Sequence, residues 1–236
     1  MKIGLIAPVF AREPQVALAV TKQAEAEGID GVFSYDHLFP INSPQRPALS
    51  AIPMLAAMAT QTERIQLGTL VSRVTLLPLP ILVESLVTLD EISGHRLIAG
   101  IGTGDSLTAP ENDAYGLDFP PLAERLRLLE EVAQALRVRH VTTWIGGRSR
   151  AVRAVAAADA DAWNCWDGPL DELAATTAAT GTTVTWAGPP PADGAFEEHL
   201  ARLAQTGVTW AVYGPPPSTD WPAFVGKLAG AAKAVR

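Results

Sequence analysis

Short apolar runs alternate along this chain with longer segments in which apolar positions recur at helical spacing. Eight runs read as strands: Ile3–Ala7, Gly31–Ser34, Gln66–Val71, Leu97–Ile101, Val141–Ile145, Ala162–Cys165, Thr183–Trp186 and Trp210–Tyr213. Between them, sets such as Leu82, Leu86 and Leu89, or Leu122, Leu126, Leu129 and Leu136, return about every 3.6 residues, the period of a helix face. The helix after the fourth strand opens behind Pro120 and Pro121, which suit a first turn. The tail Trp221, Phe224, Val225, Leu228 and Ala232 reads as a closing amphipathic helix. Eight strand–helix units of similar size, with no Pro/Gly linker between them, predict one α/β domain over residues 1–236. The expected architecture is a (β/α)8 TIM barrel with short loops, and an open doubly wound sheet is the competitor.

Composition narrows the class. At 236 residues the chain lies near the lower end for such barrels, which span roughly 200 to over 400 residues. A net charge of −7 without any Lys/Arg run argues against a nucleic-acid surface. The lone Cys165 excludes an intramolecular disulfide and fits a reducing compartment. The run Ile3–Phe10 is too short to span a bilayer and is followed by Arg12 and Glu13, so it reads as a strand rather than a signal peptide. The expectation is a soluble cytoplasmic protein with neither membrane nor nucleic acid as partner.

The candidate chemistry gathers after strand ends, where barrels place their sites. The fourth strand runs into Gly102-Thr-Gly-Asp105, a turn that lets backbone approach a ligand and ends on a carboxylate able to handle a proton. The second strand ends in Tyr35-Asp36-His37, a carboxylate beside an imidazole that can bind and protonate a ligand, or merely cap a turn. The remaining histidines, His95, His140 and His199, read as structural. Gly68, inside the third strand, suggests a bulge, a close contact with something flat, or a plain barrel glycine. After the fifth strand, Gly146-Gly-Arg-Ser149 leads into a helix carrying Arg150 and Arg153, a pattern for an anion at a helix start or for a tight turn with a solvated face. Of Trp144, Trp163, Trp186 and Trp210, Trp163 is the one expected to look into a pocket. No zinc-ligand spacing, Gly-x-Ser-x-Gly elbow or Walker loop occurs, so no metal site is expected.

In order along the chain, Tyr35-Asp-His37, Arg64-Ile-Gln-Leu-Gly-Thr-Leu-Val71, Thr88–Arg96, Gly100–Gly104, Ile145–Ser149 and Ala157–Asn164 resemble the luciferase-like flavin and deazaflavin oxidoreductases. Asp-His after the second strand and Gly-Thr-Gly-acid after the fourth look most like members using coenzyme F420, with FMN the alternative. The resemblance implies a ring lying across the barrel mouth, backed by a non-proline cis peptide at Leu70–Val71. It implies cofactor contacts from Asp36, His37, Thr69, Leu70, Val71, Gly102, Thr103, Gly104, Gly146, Gly147, Arg148, Ser149, Trp163 and Asn164. His37 and Asp105 would flank the reacting carbon as catalytic residues, Asp105 being shorter than the glutamate of the sugar-phosphate dehydrogenase branch. The implied activity is hydride transfer between the deazaflavin and a small organic substrate. An FMN-dependent monooxygenase, a non-catalytic flavin-binding protein, and a barrel acting on phosphorylated metabolites without a redox cofactor remain open. The family's long insertion after the seventh strand is missing here, as is a segment before the fifth, which implies an open pocket or one completed by a partner. A homodimer is expected, with Ile52, Met54, Leu55 and Met58 of one helix (about Ala48–Thr62) and Ile81, Leu82, Leu86 and Leu89 of the next (Pro80–Ile92) packing across a two-fold axis.

Overall fold

The computed structural model describes residues 1–216 and 218–235. In chain order its elements are β1 (Lys2–Ile6), α1 (Gln15–Glu27), β2 (Gly31–Ser34), α2 (Ala51–Ala59), β3 (Gln66–Arg73), α3 (Leu79–Ser93), β4 (Leu97–Gly102), α4 (Ala109–Ala114), α5 (Leu122–Val138), β5 (Thr143–Gly146), α6 (Arg150–Asp159), β6 (Ala162–Trp166), α7 (Leu170–Thr180), β7 (Thr183–Gly188), α8 (Phe196–Gln205), β8 (Trp210–Tyr213) and α9 (Trp221–Ala234). The strands pair in parallel, each with the next, and β8 closes on β1. The fold is therefore the (β/α)8 barrel that the pattern predicts, and the open sheet is excluded. Pro217, at the end of the proline-rich piece after β8, lies outside the described residues.

Alternation along each strand builds two cores. Inward positions place Ile6, Phe33, Leu70, Ile98, Trp144, Trp210 and Val212 inside the barrel. Outward positions such as Ile3, Leu5, Leu67, Leu97, Ile145 and Val184 pack beneath the helices with Leu55, Met58, Leu86, Leu129 and Leu200. The inner plug is aromatic: Phe33 stacks on Trp144 at 5.4 Å and meets Trp210 edge-on at 5.7 Å. Gly68 exists for this plug, since a Cβ there would come within 2.6 Å of the Phe33 ring. The flat object against it is a core side chain and not a ligand.

Six of the eight strands differ from the expected bounds by one or two residues at an end, and in β5 and β3 the reason is visible. β5 starts at Thr143 rather than Val141, because the Val141 N–H closes α5 by donating to the Leu136 carbonyl. β3 continues past Val71 to Arg73, pairing Ser72 with Ile101 and Arg73 with Gly102 after a register shift. At the opposite end of the barrel, Glu25 Oε1 accepts the N–H groups of Glu63, Arg64 and Ile65, and Arg96 donates to the carbonyls of Ala59, Thr62 and Ile65. That end is tied by structural polar contacts.

The supposed dimer face is corrected in part. Met54, Leu55, Met58, Leu82, Leu86 and Leu89 are buried within the chain itself, against β-strand residues of the outer core. What α2 and α3 leave outward is a shallow groove lined by Ile52, Ala56, Ile81, Leu89 and Ile92. Among the described residues no helix is long and apolar enough to cross a membrane. Cys165 faces the outer core, and burial pushes its thiol up to about 11. Because the thiolate is the reactive species, a disulfide-exchange reagent at neutral pH is expected to label Cys165 only after denaturant is added. Rapid labelling of the folded protein would contradict this placement.

Candidate active site

The carboxyl ends of β1 to β6 open onto a cavity of about 740 Å³, within the range of small-molecule sites. Of the residues singled out in the sequence, Asp36, His37, Leu70, Val71, Gly102, Thr103, Gly104, Asp105, Gly146, Gly147, Arg148, Ser149 and Asn164 line it. Thr69 and Trp163 do not: the Thr69 hydroxyl donates to the Gly100 carbonyl within the sheet. Strand parity turns Trp163 outward, where its indole N–H donates to the Gly147 carbonyl at 2.6 Å and braces the turn from behind. Trp166, at the end of the same strand and 41% exposed, stands at the mouth instead.

The Leu70–Val71 peptide is cis. The Val71 side chain wedges between two strand-end glycines, and a Cβ on Gly102 or Gly146 would come within 2.6 or 2.7 Å of its methyls. Beyond Gly146, Gly147 has φ +139°, and Ser149 caps α6 by accepting the Val152 N–H. Backbone N–H groups at this helix start, with Arg148 beside them, could hold the anionic end of a ligand. Glu172 of α7 opposes such a ligand, accepting from Arg148 at 2.9 Å and from Arg153 at 3.0 Å. Arg150 is exposed and does not line the cavity.

At the ends of β2 and β3 and on α4, four ionisable side chains form one cluster. Glu111 of α4 accepts from His37 Nδ1 at 2.6 Å, from the Leu38 N–H at 2.7 Å and from Arg73 Nη2 at 2.9 Å. Arg73 also donates its backbone N–H and its Nε to the Asp36 carboxylate. Both Glu111 and Arg73 are almost wholly buried. Burial pushes the Glu111 carboxyl up, but His37, the Leu38 N–H and Arg73 outweigh it and hold the group below its ordinary value. Burial raises Asp36 against the pull of Arg73 and His37. An ionised carboxylate only accepts, so Nδ1 of His37 carries the proton.

Asp105 sits at the cavity wall, exposed, with Oδ1 accepting the N–H groups of Leu107 and Thr108. Arg125 holds the same turn from below, donating to the carbonyls of Thr103 and Gly104 while stacking on Phe119. Sequence reasoning missed Glu111, Arg73 and Arg125. Residues 102–121 read as one long loop, whereas Pro110 and Glu111 open the short α4, a proline-plus-acid first turn that is a helix-start signal. The other histidines are structural: His95 pairs with Asp90, His199 with the Tyr213 hydroxyl, and His140 sits in a left-handed turn.

Fold and site together define a (β/α)8 barrel with a cofactor-sized cavity at its strand ends. Residues 1–140 match the family model described as luciferase-like monooxygenase, and the chain belongs to that family. The F420-dependent glucose-6-phosphate dehydrogenase of Kineococcus radiotolerans is 33% identical over 138 residues, covering 58% of this chain and 40% of that protein. The enzyme of the same name from Beutenbergia cavernae is 33% identical over 150 residues, covering 63% of this chain and 42% of that protein. The matches thus span less than half the length of these relatives. Among solved structures, an F420-dependent secondary alcohol dehydrogenase covers 100% of the chain and 99% of its own, with a TM-score of 0.82 at 14% identity. The coenzyme F420 dependent tetrahydromethanopterin reductase from Methanopyrus kandleri gives 0.76 at 15% identity, with 100% and 99% covered. At these identities the structural likeness speaks for the fold.

Proposed function

We propose that this chain is a cytoplasmic oxidoreductase that binds coenzyme F420 and transfers a hydride between it and a small organic substrate at the barrel mouth. The observation that carries the reading is the pairing, in one cavity, of an anion cradle at Gly146–Ser149 with a proton-handling imidazole locked by Glu111. Sequence relatives named for F420 support the choice of cofactor over FMN. A bound deazaflavin would supply the two-electron hydride chemistry. The chain's residues do the rest. Leu70, Val71 and the glycines of β4 and β5 shape the floor for a flat ring, while Gly146 to Ser149 receive the charged tail. His37 Nε2 is left to exchange a proton with the substrate, Asp105 lines the same cavity on the turn that Thr108 joins to Arg73, and Glu111 and Arg73 hold the imidazole. Titration of the purified protein with F420, FMN and riboflavin, followed by fluorescence quenching, tests the reading. F420 is expected to bind most tightly, and equal affinity for riboflavin, which lacks a phosphate, would overturn it.

The electrostatics of the cradle give a further expectation. Arg148→Ala should weaken F420 binding most at low salt, since partly exposed charge contacts are screened. Glu172→Gln should strengthen it by freeing Arg148 and Arg153 from their shared carboxylate. Salt-dependent calorimetry checks both, and identical affinities for the three proteins would refute the placement of the tail.

The working unit is a homodimer formed through the groove between α2 and α3. Ile81 is 55% exposed and Ile92 47%, and the two line the same groove. Light scattering should give the mass of two chains for the wild type and of one chain for Ile81→Glu/Ile92→Glu, with unchanged circular dichroism. A wild-type mass of one chain rejects the dimer.

A further inference from the structure

We infer that the substrate of this site is an uncharged, largely apolar molecule bearing a carbonyl or hydroxyl group, and not a phosphorylated sugar. The inference rests on the hydride-transfer reading and adds the substrate class. Its first support is the apolar share of the cavity lining, which includes Phe10, Tyr35, Ile41, Leu107, Leu122 and Trp166. The rings of Phe10 and Tyr35 stack at 5.7 Å, and Tyr35 meets Trp166 edge-on at 5.8 Å. Leu107, Leu122, Ile41 and Trp166 are each more than a third exposed. An apolar guest there removes their surface from water at roughly 25 cal/mol per Å².

The second support is the state of the cations. Among the described residues the arginines lining the cavity are Arg73, Arg125 and Arg148. Arg73 is buried and held by the Asp36 and Glu111 carboxylates. Arg125 is buried, with its donors on the Pro120, Thr103 and Gly104 carbonyls. Arg148 lies at the cradle and is paired with Glu172. Arg12 and Arg46, on the loops after β1 and β2, are exposed and do not line the cavity. A phosphomonoester with a charge near −2 needs committed cations to leave water. The apolar lining offers none, and the other charged side chains lining the cavity include the acids Asp36 and Asp105.

The chemistry that remains suits a carbonyl–alcohol pair. A bound oxidised deazaflavin would supply the hydride acceptor for the carbinol carbon, and His37 would take the hydroxyl proton, giving a ketone or aldehyde; the reverse direction would return both.

Cyclohexanone and glucose 6-phosphate serve as probes, with binding to the F420-loaded protein read by saturation-transfer NMR and hydride transfer by deazaflavin absorbance. Cyclohexanone should bind, be reduced by the reduced cofactor, and show its strongest saturation transfer through aromatic and methyl protons. Glucose 6-phosphate should neither compete with it nor bleach oxidised F420. Leu122→Arg, at an exposed helix start, should weaken cyclohexanone binding by about tenfold through lost apolar contact and introduced charge. Glucose 6-phosphate displacing cyclohexanone, or no cyclohexanone binding by the loaded protein, overturns the inference. If F420 itself fails to bind while the cofactor-free protein still takes cyclohexanone, the cofactor reading falls and the apolar class stands.

Discussion

Arg73→Ala is expected to lower the unfolding free energy by about 3–5 kcal/mol, the usual result of removing one partner from a buried ion cluster. Arg73 is 2% exposed, and it is the guanidinium that faces both Asp36 and Glu111. Without it two acids stay beneath the barrel rim with the His37 imidazole as their remaining side-chain neighbour. Denaturant titration measures the effect, and a loss under 1 kcal/mol would mean that water already reaches these carboxylates. The same cluster has a pH signature. Glu111 is held below its ordinary 4.5 in the folded chain, so the stability it contributes is complete above that value and is lost as pH falls through the lowered one. The stability gap between wild type and Glu111→Gln should therefore be widest at neutral pH and shrink below pH 4.5.

His37→Ala should lower turnover by about 10²–10⁴-fold, the range for a general acid or base. Its effect on cofactor affinity should stay near 1 kcal/mol, the size of one hydrogen bond. Glu111→Gln separates positioning from proton transfer: an amide can donate where the carboxylate only accepts, so His37 can adopt the wrong tautomer. It should lower kcat and shift the pH profile while leaving KM nearly unchanged. Asp105→Asn tests the second acid at the cavity, where the carboxylate also caps the turn. Steady-state kinetics with an identified substrate decides among them, and full turnover in His37→Ala would remove the imidazole from the chemistry.

The strand and helix periods made the barrel legible because each unit buries a stretch of its own pattern. The glycine turns and Asp36-His37 were legible for a similar reason: residue types with special backbone or proton chemistry stood directly after apolar runs. Glu111 was not, because α4 is a single short turn within polar sequence, and its carboxylate reaches His37 only through the fold. Arg73 was hidden by the register shift in β3, after which a polar pair continues the strand. The exchange of Trp163 for Trp166 has a simpler cause. Alternation says that neighbours in β6 face opposite ways, but an anchor such as Asn164, buried against Thr185, is needed to say which way is in. The methionines of α2 show the same limit: an apolar stripe signals burial, and only packing tells core from interface.

A crystal structure of the protein with F420 bound tests the central claim most directly. The account predicts the ring against Leu70 and Val71 with His37 at its edge, and the anionic tail on the N–H groups of Arg148 and Ser149 beside the Arg148 side chain. A tail seated elsewhere, or a ring outside the strand-end cavity, would contradict it.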